Sequence, residues 1–272
     1  MKVKVLSQLA AAALAVVIPA TASAHKMFLV PSTTVLSDPA DAWVTVDAAI
    51  SNDLFNFNHH AMDLGNLVIT GPDGRPVKAE NRNQGKWRST FDVQLLQAGT
   101  YRIAVENEGL FASYLDGKGE RKRWRGSTER LDEIPADAKE LVISQVQGSV
   151  NTFVTVGRPN DKALRPSGNG LELVPLGSPN DLFAGETTDF RFLVDGKPAK
   201  DLAVTVIAAG TRYRDQQDEI SVSTDADGRL SVNWPAPGLY WLNAALDGEK
   251  PTEARASTRR LNYSATFEVL PP

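Results

Sequence analysis

The chain of 272 residues contains no cysteine. This absence excludes a disulfide framework, a thiolate metal site, a cysteine nucleophile and a lipid anchor on cysteine. Hydrophobic residues make up 42% of the sequence and charged residues 23%, which are ordinary values for a globular protein. We therefore expect a fold held together by a conventional hydrophobic core.

Long hydrophobic runs are also missing beyond the first residues. Lys2 and Lys4 precede an apolar run that reaches Pro19, and the small residues of "ATASA" follow. This pattern is typical of a secretory signal peptide, and the run of roughly 14 residues is shorter than the ~20 that a membrane span needs. We expect a signal peptide over 1–24, cleaved after Ala24 or alternatively after Ala22, and a periplasmic or secreted product that does not insert into the membrane.

The chain lacks a basic excess, since its formal net charge is −4. Loss of 1–24 would remove Lys2 and Lys4 and no acid, which changes the net charge to −6. An acidic chain has no general attraction for nucleic acid, so we predict no nucleic-acid partner. No Gly-x-Ser-x-Gly, phosphate loop or dinucleotide fingerprint is present, and we do not expect the protein to be an enzyme.

Helical periodicity is scarce, and short alternating segments separated by turn residues predominate. The predicted strands include "AWVTVDAAI", "STFDVQL", "TYRIAVEN", "NTFVTVGR", "DFRFLVDG", "AVTVIAAG", "GLYWLNAAL" and "ATFEVL". Asp-Gly pairs in "GPDGRP", "DGKP" and "DADG" predict tight turns between them. The exceptions are a short helix predicted over 135–142 and an exposed loop over 117–130. The fold class is therefore predicted to be all-β.

A sequence pattern that occurs twice divides the chain into two halves. "GPDGRPV" followed by "AGTYRIAV" in the first half resembles "VDGKPAKDLAVTV" followed by "APGLYWLNAAL" in the second. Pro, Gly and polar residues cluster between the halves. We predict two Ig-like or transthyretin-like β-sandwich domains, an N-terminal one over 25–158 and a C-terminal one over 171–272, joined by a linker over 159–170.

All the histidines are concentrated in two short stretches. The chain has three histidines, and after removal of 1–24 its two methionines accompany them in "HKM" (25–27) and "HHAM" (59–62). Residues i and i+2 of a strand face the same way, so His25 pairs with Met27 and His60 with Met62. Imidazole suits copper, nickel and zinc, and a thioether adds a preference for copper(I). This clustering predicts a site for a late first-row transition metal.

The cleavage site affects the chemistry of this site. Cleavage after Ala24 would make His25 the first residue and free its α-amine. The α-amine and the imidazole of His25 could then chelate one ion and leave room for His59 or His60 to complete the site. Cleavage after Ala22 would produce Ser23-Ala24-His25, which can form a closed square-planar nitrogen site for copper(II) or nickel(II).

Less specific interpretations stay open for the same residues. Adjacent histidines in a loop are often surface residues, and Met27 lies in the apolar "MFLV", which is typical of core. Asp47, Asp53 and Asp63 could be oxygen ligands or turn and capping residues. Asp63 has the best claim to be a ligand because it adjoins "HHAM".

Two other groups of residues are weaker candidates. "RKRWRG" (121–126) could bind an anionic partner, although a solvated loop is favoured. Trp87, Trp234 and Trp241 could form a sugar-stacking platform, although buried sandwich aromatics are favoured.

The sequence resembles a family of secreted bacterial two-domain proteins of unknown function, commonly labelled periplasmic components of cobalt or nickel uptake systems. The motifs are "AHKMFLVPS", "GPDG" and "LELVPLGSP…LFAGE…FRFLVDGKPAKDLAVTV…TDADGRLSVNWPAPGLYWLNA", which span most of 25–272. His25 matches the early histidine of the family, and the family has a histidine near the 59–62 loop. Phe28 stands where the family usually has Trp. The resemblance implies a periplasmic, metal-associated accessory role.

We therefore expect a periplasmic accessory protein that binds nickel, cobalt or copper through His25, His59, His60, Met27, Met62 and Asp63. It would pass the ion to a membrane transport component by ligand exchange. Two alternatives remain: a structural or carbohydrate- or protein-recognising sandwich, and a copper oxidative enzyme with an N-terminal histidine brace.

Overall fold

The computed structural model describes residues 25–272, and the predicted signal peptide lies outside them. The predicted all-β class is confirmed: 18 strands and three short 3₁₀ helices make up the regular structure of the described residues. Among these residues no helix is long and apolar enough to cross a membrane.

The first half of the described chain contains ten strands. They are β1 (Lys26–Pro31), β2 (Val35–Leu36), β3 (Trp43–Ser51), β4 (His60–Ala61), β5 (Leu67–Thr70), β6 (Glu80–Gln84), β7 (Ser89–Gln94), β8 (Gly99–Leu115), β9 (Arg121–Gly126) and β10 (Lys139–Val156). A 3₁₀ helix, Thr128–Glu133, lies between β9 and β10.

The second half contributes eight more strands. They are β11 (Leu171–Pro175), β12 (Thr187–Val194), β13 (Lys197–Pro198), β14 (Ala203–Ala208), β15 (Ile220–Ser223), β16 (Arg229–Asn233), β17 (Gly238–Glu249) and β18 (Thr258–Val269). Two further 3₁₀ helices are Lys162–Leu164 and Thr211–Tyr213.

One large sheet runs through both halves of the protein. Its order is β15-β14-β17-β18-β10-β8-β5, with β2 beside β10 and β9 beside β8. A second sheet has the order β1-β3-β7-β6 with β4 beside β3, and a third contains β11, β12, β13 and β16. The halves join where β10 and β18 pair in parallel, from Ser144 opposite Thr258 to Thr152 opposite Thr266.

The two smaller sheets cover opposite faces of the large one. Side chains alternate along a strand, so neighbours in β10 point to different faces. Val150 and Val154 belong to the core shared with β1, β3 and β7, whereas Phe153 belongs to the core shared with β11, β12 and β16. Each half is thus a two-layer sandwich with its own core, and the shared sheet connects the two.

The segment 159–170 is not the only connection between the two halves of the described chain. The residues of the two cores divide close to this segment, but strands β10 and β18 of the shared sheet also pair across the halves. Division of the chain into 25–158 and 171–272 therefore stays a prediction.

Two local predictions are wrong. Residues 135–138 form a turn and Lys139 begins β10, so the helix predicted over 135–142 is not formed, because pairing with β8 outweighs a weak local helix preference. Within the loop predicted over 117–130, residues 121–126 form β9, which pairs with β8 throughout its length.

The turns predicted from Asp-Gly pairs are confirmed. Gly74, Gly196 and Gly228 have φ of 82°, 74° and 75°. At Gly228 a side chain is also excluded by space, since a Cβ there would lie 2.4 Å from the carbonyl oxygen of Phe192.

Candidate functional site

The sheet that contains β1, β3 and β4 brings the two histidine-bearing stretches together. β3 lies between the other two strands, with Ile50 opposite Met27 on one side and opposite His60 on the other. His25 immediately precedes β1, and His59 immediately precedes β4. The beginnings of both strands therefore lie beside the end of β3, and the three histidines meet there.

The three imidazole rings lie next to one another, with His25 and His59 stacked and His60 tilted against His59. The ring centroids of His25 and His59 are 3.9 Å apart with an interplanar angle of 8°. Those of His59 and His60 are 4.5 Å apart with an angle of 44°. His25 and His60 are exposed and His59 is half-buried, so the cluster is open to solvent.

Electrostatics favours the neutral form of the middle ring. Desolvation by its neighbours lowers the pKa of His59, and the nearby charges of His25 and His60 lower it further. A neutral imidazole has a lone pair that can bind a metal, whereas an imidazolium has none. His59 is therefore poised to act as a ligand at neutral pH.

A backbone contact fixes the tautomer of His60. Its Nδ1 lies 3.0 Å from the carbonyl oxygen of Ala61. Because a carbonyl can only accept a hydrogen bond, Nδ1 carries the proton in the neutral ring, and the lone pair then lies on Nε2. Orientation by a backbone carbonyl in this way is usual for metal-binding histidines.

The loop before the histidines is held by its own side chains. The backbone N–H of Asn52 donates to Oδ1 of Asn58 at 3.0 Å, and Nδ2 of Asn58 donates to Asp53 at 2.6 Å. Phe55 adopts a φ of 58°, which is uncommon for an aromatic residue. Asp53 thus serves as a turn residue, and this network places His59 against His25.

Contacts with the second half of the protein anchor the site from the other side. Nε1–H of Trp241 donates to the carbonyl oxygen of Met27 at 2.9 Å. Phe28 packs with Trp241 and Ile207 in a small buried cluster. Nη1 of Arg212 donates to Oδ1 of Asn56 at 3.0 Å. Both histidine-bearing segments are therefore braced by the second sandwich.

The methionines do not join the histidines at the surface. The side chain of Met62 is only 2% exposed and packs in the first core with Leu29 and Ala48, and Met27 packs partly buried against the same core. The structure therefore places Met62 in the core and not among the exposed histidines, and its role as a ligand stays a prediction. Strand β4 ends at Ala61, so its alternation does not extend to Met62, and Met62 is buried whereas His60 is exposed.

The predicted acidic ligands are engaged elsewhere. Oδ1 of Asp63 accepts a hydrogen bond from the backbone N–H of Gly65 at 2.9 Å, which makes it a turn residue. Asp47 lies 3.3 Å from Arg88, and burial raises the pKa of its carboxyl. In the structure Asp63 serves as a turn residue, and its role as a metal ligand stays a prediction.

The cluster as folded is not a finished coordination sphere. Across residues 25–272, no group of three His, Cys, Asp or Glu side chains is arranged to hold a metal ion. The lone pair of an imidazole nitrogen lies in the plane of its ring, so the nearly parallel rings of His25 and His59 cannot point at one ion. Binding a common ion would require a ring to rotate about its side-chain bonds.

The aromatic platform considered from the sequence is not formed. Trp234 is fully buried and Trp241 is 8% exposed, whereas Trp87 is 43% exposed on the β6–β7 turn. The preferred interpretation, buried sandwich aromatics, is confirmed for Trp234 and Trp241.

A comparison with protein-family models shows to which family the chain belongs. A model described as a domain of unknown function, DUF4198, matches residues 22–248. The chain belongs to the DUF4198 family. The predicted resemblance to a family of unknown function is confirmed at this level, and a comparison with curated proteins finds no match.

Matches to solved structures are distant both in sequence and in superposition. The D0-D1 domain of intimin is 10% identical, with a TM-score of 0.22, over 88% of this chain and 96% of that one. The Yersinia pseudotuberculosis adhesin InvE is 12% identical, with a TM-score of 0.23, over 90% and 60%. Escherichia coli alpha-2-macroglobulin activated by porcine elastase is 12% identical, with a TM-score of 0.23, over 92% and 20%. The chain thus spans about three fifths of InvE and one fifth of the macroglobulin.

Proposed function

We propose that this DUF4198 protein binds a divalent late first-row transition metal ion as cargo, through His25, His59 and His60. The observation that carries the proposal is the cluster of three imidazoles in an open site, with neighbouring ring centroids 3.9 and 4.5 Å apart. Imidazole is a preferred ligand of nickel, copper and zinc. The lowered pKa of His59 and the fixed tautomer of His60 both support this role.

The position of the methionines narrows the choice of metal. Thioether ligands select copper(I), but the thioether of Met62 is buried in the core. The remaining donors are imidazole nitrogens, together with the α-amine of His25 if the signal peptide is removed after Ala24. This donor set favours nickel(II), cobalt(II) or copper(II) over copper(I).

In this proposal the protein is a periplasmic accessory protein and not an enzyme. An open site with few ligands exchanges its ion readily, which suits delivery to a membrane transport component with competing ligands. The expected signal peptide supports a location outside the cytoplasm. The buried cluster around Phe28 and Trp241 would hold the site rigid against the second sandwich during this exchange.

The test is native mass spectrometry of protein exported and processed by a bacterial host. We expect a mass that begins at His25 and one bound ion after exposure to nickel, cobalt or copper. A His59→Ala, His60→Ala variant should lose the ion, because two of the three imidazoles are gone. The control is Asp63→Asn, which keeps the turn at Gly65 and lies outside the cluster, and it should retain the ion.

Two results would contradict the proposal. Protein that stays metal-free after exposure to all three ions has no metal site of useful affinity. Protein that begins at Ser23 and keeps its ion in the double variant binds metal through the terminal Ser23-Ala24-His25 sequence alone, without His59 and His60.

A further inference from the structure

Strand β9 presents three arginines on one face. Arg121, Arg123 and Arg125 alternate with Lys122 and Trp124, so the arginines point one way and Trp124 the other. Trp124 packs in a small buried cluster with Leu131, and its Nε1–H donates to Glu133 at 2.9 Å. The 3₁₀ helix Thr128–Glu133 therefore covers the Trp124 face, and the arginine face is the outer one.

Apolar side chains continue the arginine face across the neighbouring strands. Arg125 lies opposite Phe111 and Arg123 opposite Ser113 on β8, and Ser113 lies opposite Val142 on β10. Directly paired residues project from the same face of a sheet. Val142 is 49% exposed, and Val146, four residues further along β10 and therefore on the same face, is 38% exposed. We call this surface the arginine–valine face.

Most of the positive charge on the arginine–valine face is free. Arg121 forms an ion pair with Glu140, but within residues 25–272 no carboxylate lies within 4.0 Å of Arg123 or Arg125. The three guanidinium groups extend along about 13 Å of strand. This local charge stands out on a chain whose net charge is −4.

We propose that the arginine–valine face docks onto a lipid bilayer that contains anionic phospholipids. Guanidinium groups bind phosphate oxygens bidentately, and a row of them on a flat sheet can meet several headgroups at once. The exposed valines favour a bilayer over an acidic protein surface, because they can enter the apolar boundary beneath the headgroups while the arginines stay at phosphate level. The proposal is independent of metal binding.

The experiment is co-sedimentation of the processed protein with vesicles of phosphatidylcholine alone or with phosphatidylglycerol added. We expect binding only to the anionic vesicles, and we expect it to weaken as salt is raised. Each arginine near an anionic surface contributes about fivefold to partitioning. Arg123→Gln, Arg125→Gln should therefore reduce the partition coefficient by roughly 30-fold.

A matched variant separates this face from net charge. Arg158 and Arg165 are exposed and, within the described chain, also lack a carboxylate within 4.0 Å. Arg158→Gln, Arg165→Gln changes net charge equally and should bind within twofold of the unchanged protein. A second variant, Val142→Thr, should weaken binding several-fold without affecting the arginines. Equal loss in both arginine variants, or no binding to anionic vesicles at low salt, would overturn the proposal.

Discussion

Asp195 and Arg259 form an ion pair whose two members have very different burial. Nη1 and Nη2 of Arg259 donate to the carboxylate at 2.7 and 3.0 Å. The side chain of Arg259 is 1% exposed, whereas that of Asp195 is 40% exposed. The guanidinium also donates to Oε1 of Gln147 at 2.6 Å. We therefore expect the two partners to have unequal effects on stability when each is replaced.

Removal of the acid leaves a buried charge without its counterion. Asp195→Asn keeps the shape and suits the φ of 50° at this position, since Asn tolerates that region. Removing one partner of a buried ion pair costs about 3–5 kcal/mol. Arg259 keeps its hydrogen bond to Gln147, so we expect the cost of Asp195→Asn to lie near the lower end of this range. We expect the free energy of unfolding to fall by about 3 kcal/mol.

Removal of the base has a smaller effect. In Arg259→Met an apolar chain of similar length fills the space, and the half-exposed Asp195 can be hydrated while it keeps its bond to the backbone N–H of Gly170 at 2.9 Å. The main loss is the unpaired Oε1 of Gln147, worth about 1–2 kcal/mol. The double variant should be about as stable as Arg259→Met alone, because no buried charge remains.

Urea unfolding followed by tryptophan fluorescence measures these differences, provided that the denaturant slope stays constant among the variants. Asp201→Asn is the matched control, since Asp201 also has a positive φ, of 54°, but pairs with Lys200 at 3.5 Å on the surface. It should change stability by less than about 0.5 kcal/mol. A loss for Arg259→Met equal to or larger than that for Asp195→Asn would refute the reasoning from burial.

Three further outcomes are expected. The hydrogen bonds from Arg259 lower the pKa of Asp195, so its stabilising contribution is present above about pH 3.9 and is lost as the pH falls through the lowered folded value. Acid titration of the free energy of unfolding should therefore be less steep in Asp195→Asn; an unchanged slope would contradict this. Met62→Ala should cost about 2–5 kcal/mol in urea unfolding yet leave metal stoichiometry unchanged in native mass spectra, whereas loss of metal would restore Met62 as a ligand. Trp241→Phe removes the bond to the carbonyl oxygen of Met27 and should cost about 1–2 kcal/mol, with the largest loss of amide-exchange protection in β1; unchanged protection there would argue against the anchoring role.

Local patterns in the sequence predict most of the strands and the spatial proximity of the three histidines. Alternation over "AWVTVDAAI" predicts β3, and the Asp-Gly pairs predict tight turns, because both signals depend on near neighbours in the chain. The grouping of all three histidines into two stretches predicts their proximity. Alternation also predicts that His60 and Met62 share a side of the strand, but β4 ends at Ala61, and His60 is exposed whereas Met62 is buried.

Features that depend on distant parts of the chain are not predictable in this way. The parallel pairing of β10 with β18 joins residues more than a hundred positions apart, and neither strand has a local signal for its partner. The change of β9 from a predicted loop to a strand has the same origin, since its charged sequence has little β preference and pairing with β8 decides its conformation. The alignment of its arginines becomes visible only through that pairing.

The shared sheet also changes the role of the second sandwich at the histidine cluster. From the sequence this half has no histidine or methionine and would serve only as a support or docking surface. In the structure Trp241 bonds to the backbone two residues after His25, and Arg212 bonds to the loop three residues before His59. Loss or displacement of the second sandwich would therefore remove contacts that hold both segments of the histidine cluster. The stability of the second sandwich therefore affects the geometry of the histidine cluster, although the second half contributes no histidine to it.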